Sequence, residues 1–87
     1  MKSLLDTQKG VCFICGGFGS DKHHIFMGAN RKHSEEWGCY VWLCRNHHNL
    51  VHNDIKTNRW LQGEAQEEFE KLYSHEKFME IFGRNYL

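Results

Sequence analysis

The sequence predicts one small α+β domain over residues 1–87, made of short strands and helices and held together by metal as much as by an apolar core. Three observations lead there. Tyr40-Val41-Trp42-Leu43 is a short strand-like run that turns at Cys44 into a histidine-rich helix, Arg45–Asn53. Cys12 and Cys15 form a Cys-x-x-Cys pair upstream. Beyond residue 54, apolar residues recur at helical spacing. The core falls at 12–53 and a helical tail at 55–83. A chain of this size buries a modest core and often needs a staple.

Taken in order, residues 1–9 carry Leu4 and Leu5 and read as a short helix ended by Gly10. Val11–Gly17 is a tight turn bearing two thiols, its glycines relieving the bend. Residues 18–21 read as a loop, and Lys22-His23-His24-Ile25-Phe26 as a strand. From Met27 to Gly38 the chain is polar and broken by Gly28, Asn30 and Gly38, with one helical turn at Ser34–Trp37. Cys39–Leu43 is the second strand, and Asn53-Asp54 stops the histidine helix. Residues 55–62 fit no single pattern. Ala65, Phe69, Leu72 and Tyr73 then mark an amphipathic helix whose other face is acidic. Ser74 is placed as the N-cap of a last helix, with Phe78, Ile81 and Phe82 inward and Gly83 as its C-cap.

Composition narrows the function classes. Eleven basic and eleven acidic residues cancel, which argues against strong non-specific nucleic-acid binding by bulk charge. The charge is segregated, however: Lys22, Arg31, Lys32 and Arg45 lie around the histidines, and most acids lie at 64–80. No run is long or apolar enough to cross a membrane. The first residues are too short and polar for a secretory signal, so four cysteines beside clustered histidines favour metal over disulfides.

Two ligand sets follow from spacing. On a helix, His48 and His52 stand four residues apart on one face, roughly 5–6 Å apart at Cβ, close enough to share an ion. His47 points about 100° away and can serve another site. Cys44 and His47 make a Cys-x-x-His pair that, with Cys12 and Cys15, completes a zinc knuckle. His48 in place of His47 is the alternative fourth ligand. Cys39 reads as a packed small residue, His33 and His75 as surface residues, and Trp37, Trp42 and Trp60 as packing.

Cys12-Phe13-Ile14-Cys15, His23-His24-Ile25 and Leu43-Cys44-Arg45-Asn46-His47-His48 together resemble the zinc-bearing branch of the HNH endonuclease family. The resemblance covers residues 12–52, and the tail looks like those of small phage and prophage HNH proteins. It implies a ββα-metal core, also called a His-Me finger. It implies structural zinc at Cys12, Cys15, Cys44 and His47, and a catalytic divalent ion held by His23, His48 and His52. His24 falls at the family's general base. His52 matches an extra helix histidine that the nuclease colicins use as a ligand.

The implied activity is one-metal hydrolysis of DNA phosphodiester bonds. The ion acts as a Lewis acid, neutral His24 takes a proton from water, and Arg31, Lys32 or Arg45 clamps the phosphate. Imidazole ligands suit zinc, nickel or manganese better than magnesium. The resemblance also implies a bacterial or phage-infected cytoplasm, and strict specificity would need a homodimer or a phage partner protein. Two features depart from the family. Cys39 stands where the family has its middle Asn, leaving Asn30 as the candidate to orient the base, and the chain has no proline. These departures keep a second reading open, a non-catalytic zinc module that binds nucleic acid or protein. Finally, neighbours on a regular strand face opposite ways, so a site shared by His23 and His24 predicts an irregular backbone at 23–25.

Overall fold

The computed structural model describes residues 2–87. The expected helix over 1–9 does not form in the described part. Its backbone and hydroxyls bond elsewhere instead. Leu4 N–H donates to the Gly38 carbonyl at 2.8 Å, Ser3 Oγ to the Tyr40 carbonyl at 2.5 Å, and Thr7 Oγ1 accepts from Trp42 N–H at 3.0 Å. Two leucines offer too little apolar surface to hold a helix against those bonds.

Strands β1 (Gly10–Val11) and β2 (Phe18–Gly19) pair antiparallel and close the two-thiol turn between them. The chain at 18–19 is thus a strand and not the expected loop. Its Gly19 has no alternative, since a Cβ there would sit 2.5 Å from the Cys12 backbone nitrogen. Strand β3 (Asp21–His24) pairs antiparallel with β4 (Tyr40–Leu43) in the register Asp21–Leu43, Lys22–Trp42, His23–Val41 and His24–Tyr40. The ladder continues past β3, with Ile25 N–H bonded to the Cys39 carbonyl at 3.0 Å. The strand itself stops at His24 and the backbone bends at Ile25 and Phe26, so the expected irregularity begins at the end of 23–25, while His23 and His24 still alternate within the strand.

Between these strands the chain is more ordered than its breakers suggested. A 3-10 turn (Gly28–Asn30) runs into α1 (Arg31–Glu36). Buried Ser34 fixes that helix: its hydroxyl accepts from Phe26 N–H at 3.0 Å and donates to the Phe26 carbonyl at 2.9 Å. Gly38 then turns with φ +74°, and a side chain there would collide with the Lys2 carbonyl.

Helix α2 (Arg45–Asn53) starts at Cys44, whose Sγ accepts from His47 N–H. Asp54 ends it and caps α3 (Ile55–Leu72), accepting from Thr57 N–H. The ambiguous stretch 55–62 is the first part of that continuous helix. Helix α4 (His75–Phe82) has the expected Ser74 cap and a left-handed Gly83. Val41 and Leu43 from the inner face of β4, Val51 of α2, Leu61 and Phe69 of α3, and Phe78 and Phe82 of α4 form one buried cluster. The protein is thus a small α+β fold with four helices and two two-stranded antiparallel sheets among the described residues. Among the described residues no helix is long and apolar enough to cross a membrane.

Candidate metal centres

The β1–β2 turn brings Cys12 and Cys15 to the start of α2, where Cys44 and His47 wait. Cys12 Sγ lies 3.6 Å from His47 Nδ1, Cys44 Sγ 3.3 Å from the same nitrogen, and Cys15 Sγ 4.0 Å from Cys44 Sγ. Zinc–sulfur and zinc–nitrogen bonds of normal length in a tetrahedron require edges of roughly 3.5–3.8 Å. All four ligand atoms lie within 4.8 Å of one another. The set could hold a metal ion, and it is closed by four protein ligands, as a structural site is. His47 is the member that faces the thiols, and His48 faces elsewhere.

Charge supports the same conclusion. Burial opposes ionisation of Cys12, but hydrogen bonds from the backbone amides of Cys15, Cys44 and Ile14 bring its pKa down to about 6. For Cys15 the Gly17 amide favours the thiolate, and the adjoining Cys12 and Cys44 sulfurs outweigh it and push the thiol up. A cation among these sulfurs would relieve that repulsion and favour the thiolate of Cys15. Cys39 takes no part. It is fully buried in the core, and burial alone pushes its pKa to about 12.

The second set sits on the inner face of β3. His23 is buried, and its ring centroid lies 5.3 Å from both the His48 and the His52 rings on α2. His48 Nε2 and His52 Nε2 are 3.1 Å apart. His23 Nε2 is buried and has no hydrogen-bond partner among the described residues. Burial first, then the neighbouring His48, His52 and His24, lowers the His23 pKa to about 4, so the ring is neutral at pH 7 with a lone pair to offer. Neutral imidazole is the form that ligates metals. The three ligand nitrogens also lie within 4.8 Å of one another.

Asp21, expected in a loop, is the residue here that sequence reasoning missed. As the first residue of β3 it shares the inner face with His23. Its Oδ2 accepts from His48 Nδ1 at 2.9 Å and lies 3.3 Å from Arg45 Nε. The bond to His48, and then Arg45, hold the Asp21 carboxyl below its ordinary pKa. A carboxylate on Nδ1 fixes the tautomer that leaves Nε2 free to ligate. The alternation of β3 was the available signal, because residue 21 shares the parity of His23.

Comparison with protein-family models, with curated proteins and with solved structures finds no match.

His24 lies on the other face of β3. Its Nε2 is 2.7 Å from Glu35 Oε2, and its ring is 6.4 Å from the Tyr40 ring. Lys22 bonds the other Glu35 oxygen at 2.8 Å. Lys22 and then His24 hold the Glu35 carboxyl below its usual range. Arg31 and Lys32 border the same open groove as His24, so the three expected phosphate-clamping residues are split: Arg31 and Lys32 on the outer side, Arg45 beside Asp21 on the inner. Asn30 is not near the base position. Its amide donates to the Phe82 carbonyl at 3.0 Å and ties α4 to the 3-10 turn. Glu35 makes the contact to His24 that Asn30 was expected to make.

Proposed function

We propose that the protein is a metal-dependent endonuclease that hydrolyses DNA phosphodiester bonds, with His24 as general base. The observation that carries this reading is His23 Nε2, a buried neutral nitrogen without a partner, aimed at two further imidazoles. Leaving such an atom unsatisfied costs roughly 1–3 kcal/mol, so a fold that keeps it has a use for it. A purely structural module is complete with the four ligands at Cys12, Cys15, Cys44 and His47.

In this reading His23, His48 and His52 hold a divalent ion, and zinc, nickel or manganese suits them better than magnesium. That ion supplies Lewis acidity toward a phosphate oxygen and the leaving oxygen. Asp21 keeps His48 in its ligating tautomer. Glu35 accepts the His24 Nε2 proton, which leaves Nδ1 to take a proton from water. His23 and His24 face opposite sides of a regular strand. The edge of β3 away from β4 pairs with no strand among the described residues, and this reading needs a phosphate there to be reached from both faces. Arg45 approaches it from the inner side, Arg31 and Lys32 from the outer.

The second reading is a non-catalytic zinc module, favoured by Cys39 lying in the core where the HNH family has Asn. Metal content and plasmid nicking with added manganese, magnesium, nickel or zinc separate the two, for wild type and His24→Ala. Two metals per chain and nicking that the mutation abolishes support the nuclease. One zinc and no mutation-sensitive nicking support the module.

A further inference from the structure

The register of the β3–β4 sheet puts Lys22, His24, Tyr40 and Trp42 together on its outer face, and Asp21, His23, Val41 and Leu43 on the inner. Val41 and Leu43 are fully buried, whereas Tyr40 and Trp42 are only half-buried. Two aromatic rings thus stand two residues apart on one strand, roughly 7 Å along it. A cation stands over each. Lys22 Nζ is 4.1 Å from the Tyr40 ring centroid and Lys9 Nζ is 5.7 Å from that of Trp42.

Grooves lie on either side of this platform. One, of about 330 Å³, runs between β4 and the N-terminal segment and is lined by Lys2, Lys9, Tyr40 and Trp42 among others. The other, of about 630 Å³, runs past Lys22 and His24 to Arg31 and Lys32. The chain is neutral overall, yet this side gathers five cations, Lys2, Lys9, Lys22, Arg31 and Lys32, against the carboxylates of Glu35 and Glu36. Lys2, Lys9 and Arg31 have no ion pair among the described residues.

We infer that this face binds single-stranded DNA, a base stacked on Trp42 and the strand's phosphates led by Lys9, Lys22, Arg31 and Lys32 toward His24. Flat aromatic surface flanked by cations is the chemistry that holds unpaired bases and their backbone together. A duplex keeps its base faces stacked inside and offers them nothing. The choice of DNA as the polymer rests on the nuclease reading above; the stacking surface does not.

The test uses the full chain, zinc-loaded, and fluorescence anisotropy with a labelled mixed-sequence DNA strand about twelve nucleotides long, free or annealed to its complement. The single strand is expected to bind at least about tenfold tighter than the duplex. Trp42→Leu should weaken single-strand binding about tenfold and leave duplex binding within about twofold. Lys9→Gln should lower the salt dependence of single-strand binding by about 0.7 in log–log slope. Lys71→Gln, on α3, should change neither. Equal affinity for strand and duplex, or a Trp42→Leu chain that binds like wild type, overturns the inference. If Trp42→Leu fails to retain zinc and helix content, Lys9→Glu decides: selective loss of the single strand supports the surface, and an equal loss on both forms or none overturns it. Cleavage of the labelled strand and nicking of plasmid, with added manganese, test the other reading separately. A chain that cleaves but whose single-strand binding ignores Trp42→Leu loses only the surface. One that binds through Trp42 without cleaving loses only the nuclease.

Discussion

Glu35 on α1 reaches His24 at the end of β3 with a 2.7 Å contact between carboxylate and ring nitrogen. The pair is held from behind, because the second Glu35 oxygen takes the Lys22 ammonium at 2.8 Å. Glu35 is about half exposed, so this arrangement adds little to stability. Its consequence is orientation: with Nε2 committed to Glu35, the other nitrogen of His24 is the one left to act. Glu35→Ala is therefore expected to lower the turnover of DNA nicking about tenfold or more. The Michaelis constant should change less, and the melting temperature should scarcely move. Initial nicking rates over a range of plasmid concentrations measure the split, and an unchanged turnover would remove Glu35 from the site.

The two candidate ligand sets share one helix start. Cys44 caps α2 through its sulfur, His47 joins the thiols, and His48, the next residue, faces His23. Cys15→Ser breaks the knuckle at its exposed corner without touching the imidazoles. The expected result is loss of zinc and a much lower thermal midpoint, because metal binding to a domain this small is a large part of its folding free energy. Ion uptake by the His23, His48 and His52 set should weaken in parallel, since it needs α2 in place. Calorimetric titration with nickel, beside a melting curve of each variant, would show whether the two losses travel together.

Much of this was legible because spacing encodes geometry. The four-residue step from His48 to His52 and the two Cys-x-x pairs meet as helical and turn geometry require. The α4 caps, Ser74 and Gly83, could be read for the same reason. Contacts made across the chain were hidden. Ser34 pins α1 through Phe26, and nothing local to Arg31–Glu36 announces that. The backbone does bend at Ile25, but that bend does not turn His23 and His24 to one side; the strand alternates through both, and different helices meet its two faces. Gln66 shows the same limit. It sits on the acidic helix with no local mark of burial, yet it is fully buried.

That buried amide anchors the C-terminal tail. Gln66 Oε1 accepts from Tyr86 N–H at 2.6 Å, and its nitrogen donates to Asn85 and to Glu70, each at 2.7 Å. Burial opposes ionisation of Glu70, but Gln66 and His75 prevail and hold its pKa below the ordinary value. A carboxylate with a depressed folded pKa stabilises the fold above its unfolded pKa, and the gain fades as pH falls below it. Glu70→Gln should thus melt a few degrees below wild type at pH 7, and the gap should close toward pH 3. Both proteins carry the same knuckle, so acid release of zinc lowers both midpoints, and the gap is compared only at pH values where each still melts cooperatively. A gap that persists at pH 3 would mean that the charge of Glu70 is irrelevant to the tail.

His23 sets binding against stability within one residue. Its Nε2 is buried without a partner, and burial with three histidines around it keeps the ring neutral. Its neighbours in the core, Val41 and Ile25, are fully buried and apolar. Replacing the ring with a side chain that needs no hydrogen bond removes the unsatisfied atom. Against that stands the change of shape, a branched chain of similar volume where a flat ring packed, which returns part of the gain. Weighed together, His23→Leu is expected to stabilise the chain by about 1 kcal/mol when zinc fills only the knuckle, a rise of roughly 4–8 °C in the melting temperature. The same variant should bind no second divalent ion and nick no plasmid. In wild type, added nickel should raise the melting temperature through preferential binding to the folded form, and in His23→Leu it should not. Melting curves of both proteins with and without nickel give all four numbers. A destabilised variant would instead identify His23 as a packing residue whose ring the core requires, and the case for a second metal would then rest on His48 and His52 alone.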